Sequence, residues 1–238
     1  SGEGGVPARL FFKDSEEAML NSREKAGVDA TEFLFVDLFC GIGGFRLAME
    51  SLGGECVFSS EIDRFARDTY KHNFGEVPFG NITKFTNFNR ANEAMDARSK
   101  LIQRISQKAI ELNKPVVLCA GFPCQSFSVI GQKGGFSDKG RGDMVDHLVR
   151  ILKALKPDVF IFENVQNILV HDEGRTIKAI EKKLTAGFGA GKALQYSFDH
   201  VKFRATDFGL PQNRKRLVMF GAQKYDTSRP YTEDPNLN

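Results

Sequence analysis

The chain has 238 residues, with 33 Lys and Arg against 30 Asp and Glu, a formal charge of +3 and 41% hydrophobic residues. That length can bury the core of one large domain, and so small a positive excess does not by itself establish a nucleic-acid partner. No stretch reaches the length of a membrane span and no basic-then-apolar signal segment opens the sequence, so no membrane partner is expected.

Residues 1–31 are polar and weakly periodic, with a short helical pattern at 14–25, and read as an N-terminal extension. From residue 32, strand-like runs at 33–39, 55–62, 115–120, 158–162, 194–203 and 216–221 alternate with helix-like patterns at 45–52, 64–73, 90–112, 144–155 and 176–184. Such alternation predicts an α/β fold, a doubly wound Rossmann-like sheet. Its crossovers should be right-handed, with helices on both faces and the strand ends free for a ligand. The catalytic domain is expected at 32–224, followed by a tail or linker start at 225–238. Repeats and low-complexity tracts are absent from the sequence.

The four cysteines, Cys40, Cys56, Cys119 and Cys124, have no paired metal-ligand spacing. His72, His147, His171 and His200 lack the i, i+4 pairing that a zinc site often uses, so no metal is expected. Reduced thiols in a cytoplasmic protein are the simplest account of this cysteine usage. Basic residues gather in two places, at Lys133, Lys139 and Arg141 and again at Lys202, Arg204, Arg214, Lys215 and Arg216.

Chemistry-bearing residues fall where strands end. The first strand runs into Asp37-Leu38-Phe39-Cys40-Gly41-Ile42-Gly43-Gly44-Phe45, whose glycines let the backbone turn sharply and approach a ligand. Arg46 stands where the dinucleotide fingerprint G-x-G-x-x-G needs its last glycine, so that fingerprint is absent. Glu61, at the end of the second strand, can accept hydrogen bonds from both hydroxyls of a ribose. Together these suit an adenosyl ligand, although a tight turn with a solvent-facing Glu61 is the plainer reading of the same residues.

The third strand delivers Gly121-Phe122-Pro123-Cys124-Gln125-Ser126-Phe127-Ser128, which presents the Cys124 thiol on a tight turn. Cys119, inside the apolar run, fits an inert buried thiol instead. A glycine-rich polar segment reaching Arg141-Gly142-Asp143 reads as a mobile flap. The fourth strand ends in Glu163-Asn164-Val165, which brings a carboxyl group to the same edge as Cys124. Finally, Gln212-Asn213-Arg214-Lys215-Arg216 sets two arginines on one side of the last strand, either as a solvated strand start or as an anion or base contact.

These four elements, in this order, resemble the DNA (cytosine-5) methyltransferase family, bacterial modification enzymes especially, from Phe33 to about Phe220. The glycine loop resembles the family's S-adenosylmethionine motif and Pro123-Cys124-Gln125 its nucleophile motif. Glu163-Asn164-Val165 is similar to its acid motif and Gln212-x-Arg214-x-Arg216 to its second substrate motif. The flap looks like its mobile catalytic loop.

The resemblance implies a sheet of the S-adenosylmethionine-dependent methyltransferase type and methyl transfer to carbon 5 of cytosine in double-stranded DNA. Cys124 would add to carbon 6 of a flipped base, Glu163 would serve nitrogen 3, and Arg216, with Arg214 beside it, would hold the ring carbonyl. S-adenosyl-L-methionine, leaving as S-adenosyl-L-homocysteine, would lie against Asp37, Phe39, Gly41, Gly43, Gly44, Glu61, Ile62, Asn81, Ile82 and Pro123. Asn81 stands where the family usually has an Asp toward the adenine amino group. DNA contacts fall to Gln125, Ser126, Ser128, Gln132, Lys133 and Arg141.

Neither a target-recognition domain nor the family's closing Asn-Ser-Val-like motif is found after Arg216. A second polypeptide carrying them is therefore expected, an engineered catalytic fragment and a degenerate homologue being the other accounts. An RNA cytosine-5 methyltransferase and a non-catalytic scaffold subunit are the alternative functions.

Overall fold

The computed structural model describes residues 31–86, 93–123, 144–186 and 194–224. Six strands form one sheet in the order β2-β1-β3-β4-β6-β5. The strands are β1 (Phe33–Leu38), β2 (Gly54–Ser60), β3 (Val116–Gly121), β4 (Val159–Val165), β5 (Asp199–Arg204) and β6 (Lys215–Ala222). Between them lie helices α1 (Gly44–Ser51), α2 (Arg64–Phe74), α3 (Ile82–Thr86), α4 (Glu93–Leu112), α5 (Met144–Leu155) and α6 (Arg175–Ala186). The expected segment at 1–31 and tail at 225–238 lie outside the described residues, apart from Thr31.

β1, β2, β3 and β4 pair in parallel, as apolar runs separated by helices should. The last two strands do not. β6 runs antiparallel to both β4 and β5, so the sheet is mixed. The pairing of β6 with Glu163, Asn164 and Val165 also carries β4 through this acidic segment, where the sequence alone stops the strand at residue 162. The fifth run proves shorter than 194–203, with Tyr196 joined to the sheet by an isolated bridge to Gln223 before β5 starts at Asp199.

Helices cover both faces, but unequally. On one face Leu34, Val36, Leu38, Leu118, Ala120, Phe160, Phe162, Leu217 and Met219 join Leu148 and Leu152 of α5 and Ile177, Ile180 and Leu184 of α6 in the main core. Each such fully buried side chain contributes roughly 1.5–3 kcal/mol relative to exposure. The other face has a smaller cluster of Phe35, Cys119 and Met49, the last from α1. Along β4 and β6 no described helix covers that face: Val159, Ile161, Glu163, Arg216 and Val218 are half-buried and Phe220 is exposed. β5 is exposed along its whole length.

Candidate active site

The glycine loop begins with an unusual backbone. Phe39 has φ 55°, a left-handed conformation uncommon for a bulky residue, followed by Gly41 at 54° and Gly43 at 101°. The Cys40 N–H donates to the Ser60 carbonyl at 2.9 Å and the Gly43 N–H to the Cys40 carbonyl at 2.9 Å, so the turn is tied to the end of β2. At Gly43 a side chain has no room, because an added Cβ would meet Cε2 of Phe74 at 2.1 Å.

Glu61, just past β2, faces this loop. Its Oε2 accepts from the Gly41 N–H and its Oε1 from the Asp63 N–H, both at 2.8 Å. Each oxygen retains a second lone pair, so the half-buried carboxylate can still accept two hydroxyl donors. Ile62 beside it is 66% exposed, an apolar surface open to a flat ring. The segment carrying Asn81 runs alongside, with Glu61 N–H donating to the Phe79 carbonyl at 2.8 Å. Asn81 Oδ1 accepts from the Thr83 N–H at 2.9 Å, capping α3 and leaving one lone pair for another donor. The structure turns Ile82 away, burying its side chain in the main core.

Asp37 lies under the loop on β1, fully buried, and neither carboxyl oxygen has a hydrogen-bond partner among the described residues. Burial pushes its pKa from the ordinary 3.8 to about 8, and Glu61 adds to the rise. The Arg46 charge and its backbone N–H pull the other way, the latter without forming a well-aligned hydrogen bond. A buried, unpartnered carboxyl beneath a left-handed glycine loop, with a carboxylate set for a diol beside it, fits a ligand that is cationic and carries a ribose.

The second half of the site lies at the ends of β3 and β4. Gly121 pairs in register with Glu163, and a Cβ at Gly121 would lie 3.7 Å from Glu163 Oε2 and 3.9 Å from the Phe39 carbonyl. Both halves therefore converge on Gly121. The Arg216 Nε stands 2.5 Å from Glu163 Oε1, a pair about one-quarter exposed on the open face of the sheet. Arg214 precedes β6 and is exposed, whereas Arg216 is half-buried against Glu163.

Pro123 is exposed, and Cys124, Gln125, Ser126, Ser128, Gln132, Lys133 and Arg141 lie outside the described residues. The three remaining cysteines are poor nucleophiles. Burial pushes Cys40 and Cys119 far above the usual thiol range, and Cys56 up to about 12.

Two residues with structural roles here were missed as site residues. Asn164, buried in β4, donates from Nδ2 to the Phe122 carbonyl at 3.0 Å and so anchors the segment just before Cys124 in the sequence. Arg46, noted in the sequence only for not being glycine, is buried beneath the loop. A polar residue at a position where strand alternation demands burial is the signal that could have marked Asn164.

Parallel strands ending in a glycine turn, an acid with free lone pairs and a paired Glu and Arg define an α/β protein of Rossmann-like type with its candidate site at the strand ends. The family model for C-5 cytosine-specific DNA methylase matches residues 33–236, and the chain belongs to that family. It is 38% identical over 218 residues to the Type II methyltransferase M.HpaII of Haemophilus parainfluenzae, covering 92% of this chain and 52% of that protein. With M.HhaI of Haemophilus parahaemolyticus it shares 39% identity over 189 residues, 79% of this chain and 49% of the other. The chain thus spans about half the length of the curated relatives it matches.

Among solved structures, the Entamoeba histolytica methyltransferase EhMeth superposes with a TM-score of 0.55 at 23% identity, over 83% of this chain and 55% of that one. A putative DNA modification methyltransferase encoded within an Escherichia coli prophage gives 0.54 at 24%, over 80% and 47%. The fold is the Rossmann-like sheet of the S-adenosylmethionine-dependent methyltransferases.

Proposed function

We propose that this chain is the catalytic part of an enzyme that methylates carbon 5 of cytosine in double-stranded DNA. The observation that carries the reading is the Glu163 and Arg216 pair, set beside the strand end that leads to Cys124. Nitrogen 3 and the carbonyl oxygen of cytosine are adjacent ring positions, and two side chains in contact on one face can address both at once.

Carbon 5 of cytosine is a weak nucleophile. Cys124 thiolate adds to carbon 6, forming the S–C6 bond while the ring π electrons move toward nitrogen 3. Glu163 supplies a proton there and Arg216 holds the carbonyl oxygen, so the resulting enamine is electron-rich at carbon 5. S-adenosylmethionine, when bound, supplies the electrophilic methyl group. A base then removes the carbon 5 proton, the S–C6 bond breaks with Cys124 leaving as thiolate, and nitrogen 3 returns its proton to Glu163. Duplex stacking buries these atoms, so the base has to be flipped out first. Phe39, Gly41, Gly43 and Gly44 would hold the methionine end, Glu61 the ribose, Ile62 and Asn81 the adenine, with Asp37 below and Pro123 near the methyl group.

The high thiol pKa values of the other three cysteines support Cys124 as the nucleophile, and the bacterial sources of the curated relatives support a bacterial cytoplasmic setting. We assign target recognition to polypeptide outside the half of the relatives that this chain matches, whether on the same chain or on a second one. The support is the coverage of about half of each relative and the uncovered apolar residues Val201, Phe203 and Phe220 on the outer strands.

Transfer of labelled methyl groups tests the reading. Incorporation into duplex DNA but not transfer RNA, lost in Cys124→Ser, is expected; incorporation into RNA alone would overturn the substrate assignment.

A further inference from the structure

Arg46 has no part in the chemistry above, yet it is the most heavily engaged charged side chain near the glycine loop. It projects from α1, the helix that follows the loop, and is 8% exposed. Its Nη1 donates to Glu76 Oε2 at 2.8 Å and to the Tyr70 hydroxyl at 3.1 Å, its Nη2 donates to Glu76 Oε1 at 3.1 Å, and its Nε donates to Glu50 at 2.8 Å. The guanidinium also lies over the Phe74 ring, 4.8 Å from its centroid. That ring closes against Gly43.

These contacts join two separate walls of the proposed pocket. One wall is the loop and α1. The other is α2, which starts three residues after Glu61, together with the return segment through Glu76 toward Asn81. The second wall has its own ties: Asp63 caps α2, and Arg67 Nε donates to the Pro78 carbonyl at 3.2 Å. Across the gap, the other described ties are the Gly41 N–H to Glu61 Oε2 at 2.8 Å, the Cys40 N–H to the Ser60 carbonyl at 2.9 Å and a 3.5 Å hydrogen bond from Asn73 to the Ile42 carbonyl; none of them reaches the Glu76 segment that Arg46 holds. A planar fork bonded to both Glu76 oxygens fixes orientation as well as distance, which a lysine in the same place would not do.

We infer that Arg46, through its two-pronged bond to Glu76 and its contact with Phe74, is a positioning residue that fixes the spacing between the glycine loop and the wall carrying Glu61 and Asn81. Cofactor affinity is then set partly by a clamp that never touches the cofactor. The inference rests on the cofactor reading given above. It also gives the missing third glycine a reason: an arginine at that position locks the two walls together, where a glycine would only let helix and strand approach.

The test uses the 238-residue chain and S-adenosylhomocysteine as the probe, with titration calorimetry well below the melting temperature of each variant. Glu76→Gln removes one charge from a half-exposed side chain and leaves its shape, so the fold is retained; Arg46→Lys keeps the charge and loses the fork. Each should weaken binding about tenfold, and the double variant should be hardly weaker than either single, because the two residues act as one unit. Leu148→Ala, in the main core away from the loop, serves as the control: it should lower the melting temperature and leave affinity unchanged. Unchanged affinity in folded Glu76→Gln, an additive loss in the double variant, or an equal loss in Leu148→Ala would overturn the clamp. Failure of the unaltered chain to bind the probe would instead sink the cofactor reading beneath it.

Discussion

Asn164 holds Phe122 in place: its buried amide donates to the Phe122 carbonyl at 3.0 Å while its own oxygen accepts from the Val165 N–H at 2.8 Å. The acid-bearing strand and Phe122, two residues before Cys124, are thereby fixed to each other by one side chain. Asn164→Ala leaves that carbonyl buried without a donor, which costs roughly 1–3 kcal/mol. Methyl transfer should fall about a hundredfold with cofactor affinity retained, since misplacement of a reacting group by about 1 Å costs on that scale. Single-turnover kinetics alongside calorimetric binding would check this.

Glu163→Gln keeps the shape of the pair with Arg216 but cannot deliver a proton to the ring. The rate should drop on the order of 100-fold to 10,000-fold with little change in DNA affinity. Gel-shift and single-turnover measurements on one preparation separate the two effects. A variant retaining near-full turnover would remove Glu163 from the chemistry.

Asp37 makes stability depend on pH. Its carboxyl is raised in the folded protein from 3.8 to about 8, so between these values the folded state holds a proton that the unfolded chain has lost. The contribution is fully present below about pH 4 and is lost as pH rises through about 8. Arg46 and Glu61 are the charged groups acting on it. Asp37→Asn should flatten the decline of melting temperature between pH 5 and 8, read by thermal unfolding across that range.

Glu61→Ala removes the acceptor of the Gly41 and Asp63 N–H groups together with the proposed ribose contacts. Binding of S-adenosylhomocysteine should weaken at least tenfold, about 1.4 kcal/mol. An unchanged dissociation constant would overturn the ribose assignment.

The sequence made the parallel half of the fold legible because apolar runs of strand length alternate with helical periods, and the motifs sit where those runs end. Strand direction was another matter. Nothing in the alternation of Lys215–Ala222 says that β6 runs against β4, so neither the mixed sheet nor the extension of β4 through Asn164 was foreseen. The left-handed Phe39 and the short helix Ile82–Thr86 depend on tertiary contacts that local propensity does not report. Arg46 was read as a broken fingerprint because its partners, Tyr70 and Glu76, are distant in sequence.

Covalent trapping tests the central claim most directly. The chain, alone and with any co-encoded partner polypeptide, is incubated with S-adenosylmethionine and duplex DNA carrying 5-fluorocytosine at candidate sites. Fluorine at carbon 5 blocks the final proton loss, so the S–C6 bond cannot be released. A denaturation-stable adduct that mass spectrometry maps to Cys124 is the predicted result. An adduct on another residue, or none despite measured binding of both cofactor and DNA, would contradict the account.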